Sequence, residues 1–272
     1  MLKQRVITAL ILAPLVISSV LLLPTVYVAL MLAIVVLVGS REWARLSGFS
    51  RLPQQLLYAL SMLILLGGSY LWMPDSWTPA IISFAVLWWC FVLLRIMRFK
   101  SDQKPSENSM LKALEGMVVL FPAWLALVTL HQIPDFGPGL MLFVLMLIWS
   151  ADVGAYFAGH RWGSNKLAPQ VSPGKTREGV YGAMVSALLC GGVLLWWLGT
   201  SGVQSILILI LCLITMLSSV VGDLFESLLK RQLGMKDSGT LLPGHGGMLD
   251  RIDSLTAASP VFLFGLTLLG VA

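Results

Sequence analysis

Charge is what this sequence has least of. Asp, Glu, Lys and Arg make up 11% of its 272 residues against 57% hydrophobic residues, and the mean hydropathy is +0.87. Soluble domains are nearer to a quarter charged, so a chain this sparing belongs with membrane proteins. There is no extended polar tract that could fold as a separate soluble domain, and no internal repeat. Cysteine is scarce as well: Cys90, Cys190 and Cys212 all lie in apolar segments, without partners at metal-ligand spacing, and read as small buried hydrophobes. A cleavage site is also missing. Met1 to Arg5 and the apolar run behind them begin like a signal peptide, but no small-x-small site closes the run and further apolar segments follow. An uncleaved first anchor is expected. The formal net charge of +5 is held in short clusters between apolar runs rather than along one polar face, which argues against a nucleic-acid partner.

What is there is a series of apolar runs near the length that spans a bilayer, about 20 residues. They cover roughly 6–23, 26–40, 55–72, 79–97, 111–130, 139–158, 179–199, 203–225 and 255–271. The breaks carry turn chemistry at Pro24-Thr25, Met73-Pro74-Asp75, Ile133-Pro134-Asp135 and Thr200-Ser201-Gly202. The expected architecture is therefore all-α: a polytopic integral membrane protein of about nine transmembrane helices. Residues 1–110 would hold the first four helices and a loop, and 111–272 the region richer in reactive side chains. Loop charge agrees with this count. The loops at 24–25, 73–78, 131–138 and 200–202 contain no Lys or Arg, and all 18 basic residues fall in the N-terminal tail, the alternate loops or the span ends beside them. Under the positive-inside rule this predicts a cytoplasmic N-terminus, with the loops 159–178 and 226–254 on the same side.

Three stretches could carry chemistry. In "VVGDLFESLLKR", Asp223, Glu226, Ser227 and Lys230 fall at i, i+3, i+4 and i+7 and share one helix face. Lys230 and Arg231 suit an interfacial anchor, but an acid as close behind an apolar run as Asp223 needs a partner or a wet cavity. In "PGHGGMLDRIDS", the glycines, Gly246 and Gly247 among them, allow a tight backbone path close to a ligand. Asp250, Asp253 and Ser254 then share a helix face, and two carboxylates there can share one cation. Ligation by oxygen alone suits Mg²⁺, which uses one or two carboxylates plus substrate phosphates. No His or Cys at suitable spacing supports zinc, so His245 is a phosphate contact or a structural hydrogen-bonding group.

The third stretch is "WSADVGAYFAGHRWGSNKLAPQVSPGKTREG". It places Asp152 inside an apolar span, and Ser172-Pro173 reads as a helix N-cap followed by proline at the first helical position. Lys175, Thr176 and Arg177 follow directly, so a helix N-terminus with two cations is expected to take phosphate. It is not a P-loop, because Pro169 stands where that motif needs glycine. Glu42, between Arg41 and Arg45, reads as a self-neutralising helix end, and Glu115 near Lys112 reads the same way. Together, acids (Asp223, Asp250, Asp253) beside cations (Lys175, Arg177, Lys230, Arg231) suggest a polyphosphate substrate held by Mg²⁺. Because the site is built into span ends, a co-substrate can arrive from the bilayer.

From Ser227 the chain reads S-L-L-K-R-Q-L-G-M-K-D-S-G-T-L-L-P-G-H-G-G-M-L-D-R-I-D. This resembles the signature of the phosphatidate cytidylyltransferases, S-x-x-K-R-x4-K-D-x-G/S/A-x2-L-P/G-x-H-G-G-x-x-D-R-x-D. The likeness extends to "ADVGAYFAGHRWG", "KLAPQVSPGKTREG" and "SVVGDLFES". It implies transfer of the cytidylyl group of CTP to phosphatidic acid, with a divalent metal, at the cytoplasmic face of a bacterial inner membrane. Carried over by motif position, Asp223, Asp250 and Asp253 would be the metal ligands, and Lys175, Lys230, Arg231, Lys236 and His245 would contact phosphates. Ser172, Thr176, Arg177, Ser227, Asp237, Gly246, Gly247 and Asp152 would line the substrate site, and Arg251 would orient its neighbouring carboxylates or bind phosphate. The resemblance leaves room for a second metal ion and for a homodimer. Two positions depart from it: Val153 stands where Ser or Thr is common, and Arg177 where an aromatic is frequent. The rival readings are a CTP-dependent lipid-alcohol kinase, which would need a base for its hydroxyl, an ion-coupled transporter using Asp152 and Asp223, and a structural membrane protein.

Overall fold

Long apolar runs in a bilayer must satisfy their own backbone polar groups, so helix is the conformation open to them. The computed structural model describes residues 2–99, 108–235, 238–239 and 246–271, with side chains from residue 10 onward. Nine α-helices account for most of it: α1 (Leu2–Leu22), α2 (Thr25–Leu46), α3 (Leu52–Trp72), α4 (Thr78–Met97), α5 (Ser109–Gln132), α6 (Gly137–Trp162), α7 (Arg177–Leu198), α8 (Val203–Gln232) and α9 (Leu249–Leu268). A single 3₁₀ turn, Asp75–Trp77, leads into α4. Seven helices, α2 to α8, are long and apolar enough to cross a membrane. The apolar part of α1 described here is Leu10–Leu22, and α9 starts with Asp250, Arg251 and Asp253 in its first turns.

The expected helical membrane architecture is observed, with one small addition. Between α6 and α7 lies an antiparallel hairpin, β1 (Lys166–Ala168) and β2 (Ser172–Thr176), pairing Lys166 with Thr176 and Ala168 with Ser172. Ser172 is therefore a strand residue and not a helix cap. Pro173 sits in a two-stranded edge, where its missing N–H costs nothing. The cap is Thr176, whose Oγ1 accepts from Gly179 N at 3.1 Å, so the helix begins four residues later than the Ser-Pro pair implied.

Packing brings the two halves of the sequence into shared cores. One cluster joins Leu140 and Met141 of α6, Ile208 of α8 and Phe262 of α9. The other joins Trp43, Tyr58 and Trp89 from before residue 110 to Leu120, Phe225 and Leu249 from after it. Two buried aromatic tips bond backbone carbonyls across helices: Trp43 Nε1 donates to Lys112 O at 2.7 Å and Tyr58 OH to Ala113 O at 2.8 Å. Small residues let neighbouring spans touch, as in other membrane bundles. A Cβ on Gly154 would overlap the Gly182 carbonyl across the α6–α7 seam, and one on Gly222 of α8 would overlap the Asp253 carbonyl of α9.

These contacts gather charge at one end of the bundle. Arg95 of α4 pairs with Glu115 of α5 at 2.6 Å and lies 5.6 Å from the centroid of the Phe225 ring. Glu115 is thus neutralised across helices and not by Lys112 on its own helix. Glu42 also departs from its sequence reading. It is buried while Arg41 and Arg45 are exposed, and it binds backbone and hydroxyl donors instead of its neighbours.

Candidate active site

The C-terminal turns of α8 and the first turns of α9 supply the acids and one of the two lysines. Leu224, Phe225, Leu228 and Leu229 bury one face of α8 in the second cluster, which turns Asp223, Glu226, Ser227 and Lys230 the other way. Lys230 Nζ lies 2.5 Å from Asp250 Oδ1 and 3.1 Å from Glu226 Oε2, with the Lys230 and Asp250 side chains only 11% and 9% exposed. Asp250 Oδ2 accepts three more bonds, from Gly247 N at 2.7 Å and from Ser238 N and Oγ at 3.0 Å each. Gly247 therefore closes onto the carboxylate that follows it.

A second ion pair lies across the hairpin. Lys175 of β2 reaches Asp223 Oδ2 at 2.6 Å, and Ser227 Oγ donates to Asp223 Oδ1 at 3.3 Å. Both Lys175 and Asp223 border a cleft of about 400 Å³ whose walls also include Asp152, Tyr156, His160 and Thr176. Asp152 lies within electrostatic reach of Lys175, Asp223 and Arg251. Arg231 Nε donates to Val171 O at 3.4 Å, tying the end of α8 to the hairpin turn. The start of α7 is fixed by Glu178, which accepts from Asn165 Nδ2 at 2.7 Å and Ser164 Oγ at 3.0 Å.

The expected metal ligands are brought near each other but not onto one point. Among the described residues, no three His, Cys, Asp or Glu side chains gather as a metal-holding group. The reason is charge: Lys175 neutralises Asp223 while Lys230 neutralises Asp250, so each lysine draws its acid aside. Asp253 instead lies beside the Glu226 carboxylate and within electrostatic reach of Asp223. Glu226 Oε1 is buried with no hydrogen-bond partner among the described residues. Carboxylates set against one another with an orphaned oxygen form an all-oxygen donor set that suits a hard dication such as Mg²⁺. Both oxygens of Asp250 are already engaged, Oδ1 by Lys230 and Oδ2 by Gly247 and Ser238.

The remaining candidates divide by position. Ser172 lies in β2, Arg177 is exposed at the start of α7, and Arg251 is exposed on α9. Gly246 adopts φ 81°, a left-handed conformation that glycine takes without strain, and Gly247 donates to Asp250. Lys236, Asp237 and His245 lie outside the described residues. No local signal pointed to the bond between Glu42 and Ser238, which joins positions 196 residues apart. Glu178 was equally silent, because its partners lie in the turn before the hairpin.

Comparison with known proteins places this geometry in a wider group. Residues 3–269 match the model of the cytidylyltransferase family. A phosphatidate cytidylyltransferase of Pseudomonas aeruginosa is 42% identical over 262 residues, covering 96% of each chain. One from Haemophilus influenzae is 38% identical over 285 residues, covering 97% of this chain and 98% of its own. One from Bacillus subtilis is 38% identical over 141 residues, 52% of each.

Proposed function

Because the chain belongs to the cytidylyltransferase family, we propose that it transfers the cytidylyl group of CTP to phosphatidic acid, giving CDP-diacylglycerol and pyrophosphate. The observation that carries this reading is the Lys175–Asp223 pair, set in a cleft walled by membrane-competent helices. A water-soluble triphosphate and a lipid phosphate can meet only where bilayer helices end in a charged, polar hollow. The clustering of basic loops at that end supports a cytoplasmic orientation, with the protein in the inner membrane of a bacterium.

The nucleophile is a phosphatidate phosphate oxygen, already ionised near neutral pH, so no protein base is required. It forms a bond to the α-phosphorus of CTP while the bond from that phosphorus to the bridging oxygen of pyrophosphate breaks, and the departing oxygen keeps the electron pair. Catalysis is then positioning and charge neutralisation. Lys175 can exchange the Asp223 carboxylate for a phosphate oxygen with no loss of charge pairing. Lys230, held between Glu226 and Asp250, presents a fixed positive charge beside the transferring group. Arg231 and Arg251 add cations at the rim. Asp223, Asp250 and Asp253, with Glu226 beside them, are the residues that would hold Mg²⁺. When bound, that ion supplies charge neutralisation at the triphosphate.

The test is direct. Purified protein in detergent, given labelled CTP, phosphatidic acid and Mg²⁺, is expected to form a CDP-lipid and release pyrophosphate. Failure with these substrates, together with phosphate transfer to an isoprenoid alcohol, would replace the reading with the kinase.

A further inference from the structure

The Glu42 carboxylate lies on α2 and is 7% exposed, yet none of the ion pairs among the described residues includes it. Its Oε1 accepts from Met248 N at 3.0 Å, and its Oε2 accepts from Leu249 N at 2.8 Å and Ser238 Oγ at 3.0 Å. Gly239 and Gly247 press against the same group, and a Cβ on either would overlap a Glu42 carboxylate oxygen. The first amides of α9 need partners, and the residue at its cap position, Met248, provides no side-chain bond. A carboxylate from a distant helix takes that role and also meets the positive end of the α9 dipole.

The contacts continue inward. Ser238, fully buried, shares its one hydroxyl proton between Glu42 Oε2 and Asp250 Oδ2, each 3.0 Å away, and Asp250 in turn holds Lys230. We propose that Glu42 is a positioning residue for the reaction: it anchors the Gly247–Leu249 backbone and Ser238, and through them fixes Asp250 and the Lys230 ammonium. This extends the function proposed above and rests on it. A side chain in the first third of the sequence thereby sets the geometry of the C-terminal reaction centre. Glu42→Gln keeps the shape but turns an amide N–H₂ toward groups that are themselves donors.

The experiment compares kcat and KM of wild type, Glu42→Gln, Ser238→Ala and the double variant, all purified in detergent as monodisperse full-length protein. Outer-layer partners of this kind cost about 10–100-fold when removed. Glu42→Gln is expected to lower kcat at least tenfold per folded molecule, with KM for phosphatidate changed less than threefold. The double variant should be no worse than Glu42→Gln alone, because both remove one connected path. A purely structural cap would lower the melting temperature and leave the kcat of folded protein within twofold, which overturns the proposal. If Glu42→Gln does not yield folded protein, Ser238→Ala decides, and a kcat within twofold of wild type rejects the path. If wild type uses a different acceptor, the cytidylyl reading fails by itself, and the same variants are compared on that acceptor.

Discussion

Replacing Asp250 by asparagine tests the site most severely, because this one carboxylate accepts four hydrogen bonds among the described residues. Lys230 is on Oδ1 at 2.5 Å, and Gly247 N, Ser238 N and Ser238 Oγ share Oδ2. An amide has one acceptor oxygen and one donor nitrogen. If the oxygen stays with the loop, the N–H₂ faces the Lys230 ammonium; if it turns to Lys230, the N–H₂ faces two backbone N–H groups. The first orientation loses the Lys230 bond and the second the bonds on Oδ2, so at least one bond to a charged group is lost, worth about 1.5–3 kcal/mol. The pair is 9–11% exposed, so water screens it little, but Glu226 still holds Lys230 at 3.1 Å. The lower end, about 1.5 kcal/mol, is therefore the appropriate figure, and on the reaction barrier it corresponds to about tenfold. The assay is the initial rate of label transfer from CTP into lipid at saturating phosphatidate. Membrane fractionation and the gel-filtration profile in detergent confirm that the variant inserts and folds. A correctly folded Asp250→Asn protein within fivefold of wild type would show that this carboxylate organises nothing the reaction uses.

Lys175→Ala should lower kcat/KM for CTP by about a hundredfold, the scale of one lost charge-assisted clamp. Its stability should shift by no more than about 1 kcal/mol, since the Asp223 pair is 26% and 32% exposed; a CTP titration and a thermal melt check both. Gly222→Ala should drive α8 from α9 and destabilise the protein by about 1–3 kcal/mol, read as a lower melting temperature with loss of turnover. For orientation, cysteine placed at Ser164 in a background lacking Cys90, Cys190 and Cys212 should react with an impermeant thiol reagent only in inside-out vesicles. Cysteine at Ser201 should react only from the outside of intact cells, and the reverse pattern would invert the topology.

The spans were legible because long apolar runs and turn residues are local signals. The ends of α2, α6, α8 and α9 moved most, α8 reaching Gln232 because Asp223, Glu226 and Lys230 continue its helical face beyond the apolar run. The hairpin was not legible, because strands of three and five residues leave too short a pattern and Ser172-Pro173 imitates a helix start. The side chains of the site were identifiable by type and spacing, but their pairing was not. Nothing local says that Lys175 meets Asp223 rather than a solvated neighbour. Glu42 shows the limit most plainly: two flanking arginines supplied an easy local explanation, while its real partners begin near residue 238.

The carboxylate that α2 lends to the start of α9 has a consequence for biogenesis. Ribosomes deliver α2 to the membrane long before Met248 and Leu249 exist, so Glu42 must wait, unmatched, through the synthesis of some two hundred further residues. The reaction centre can close only when the last helix arrives. A chain released before residue 248 lacks the backbone donors that hold Glu42 and the acids of α9 together.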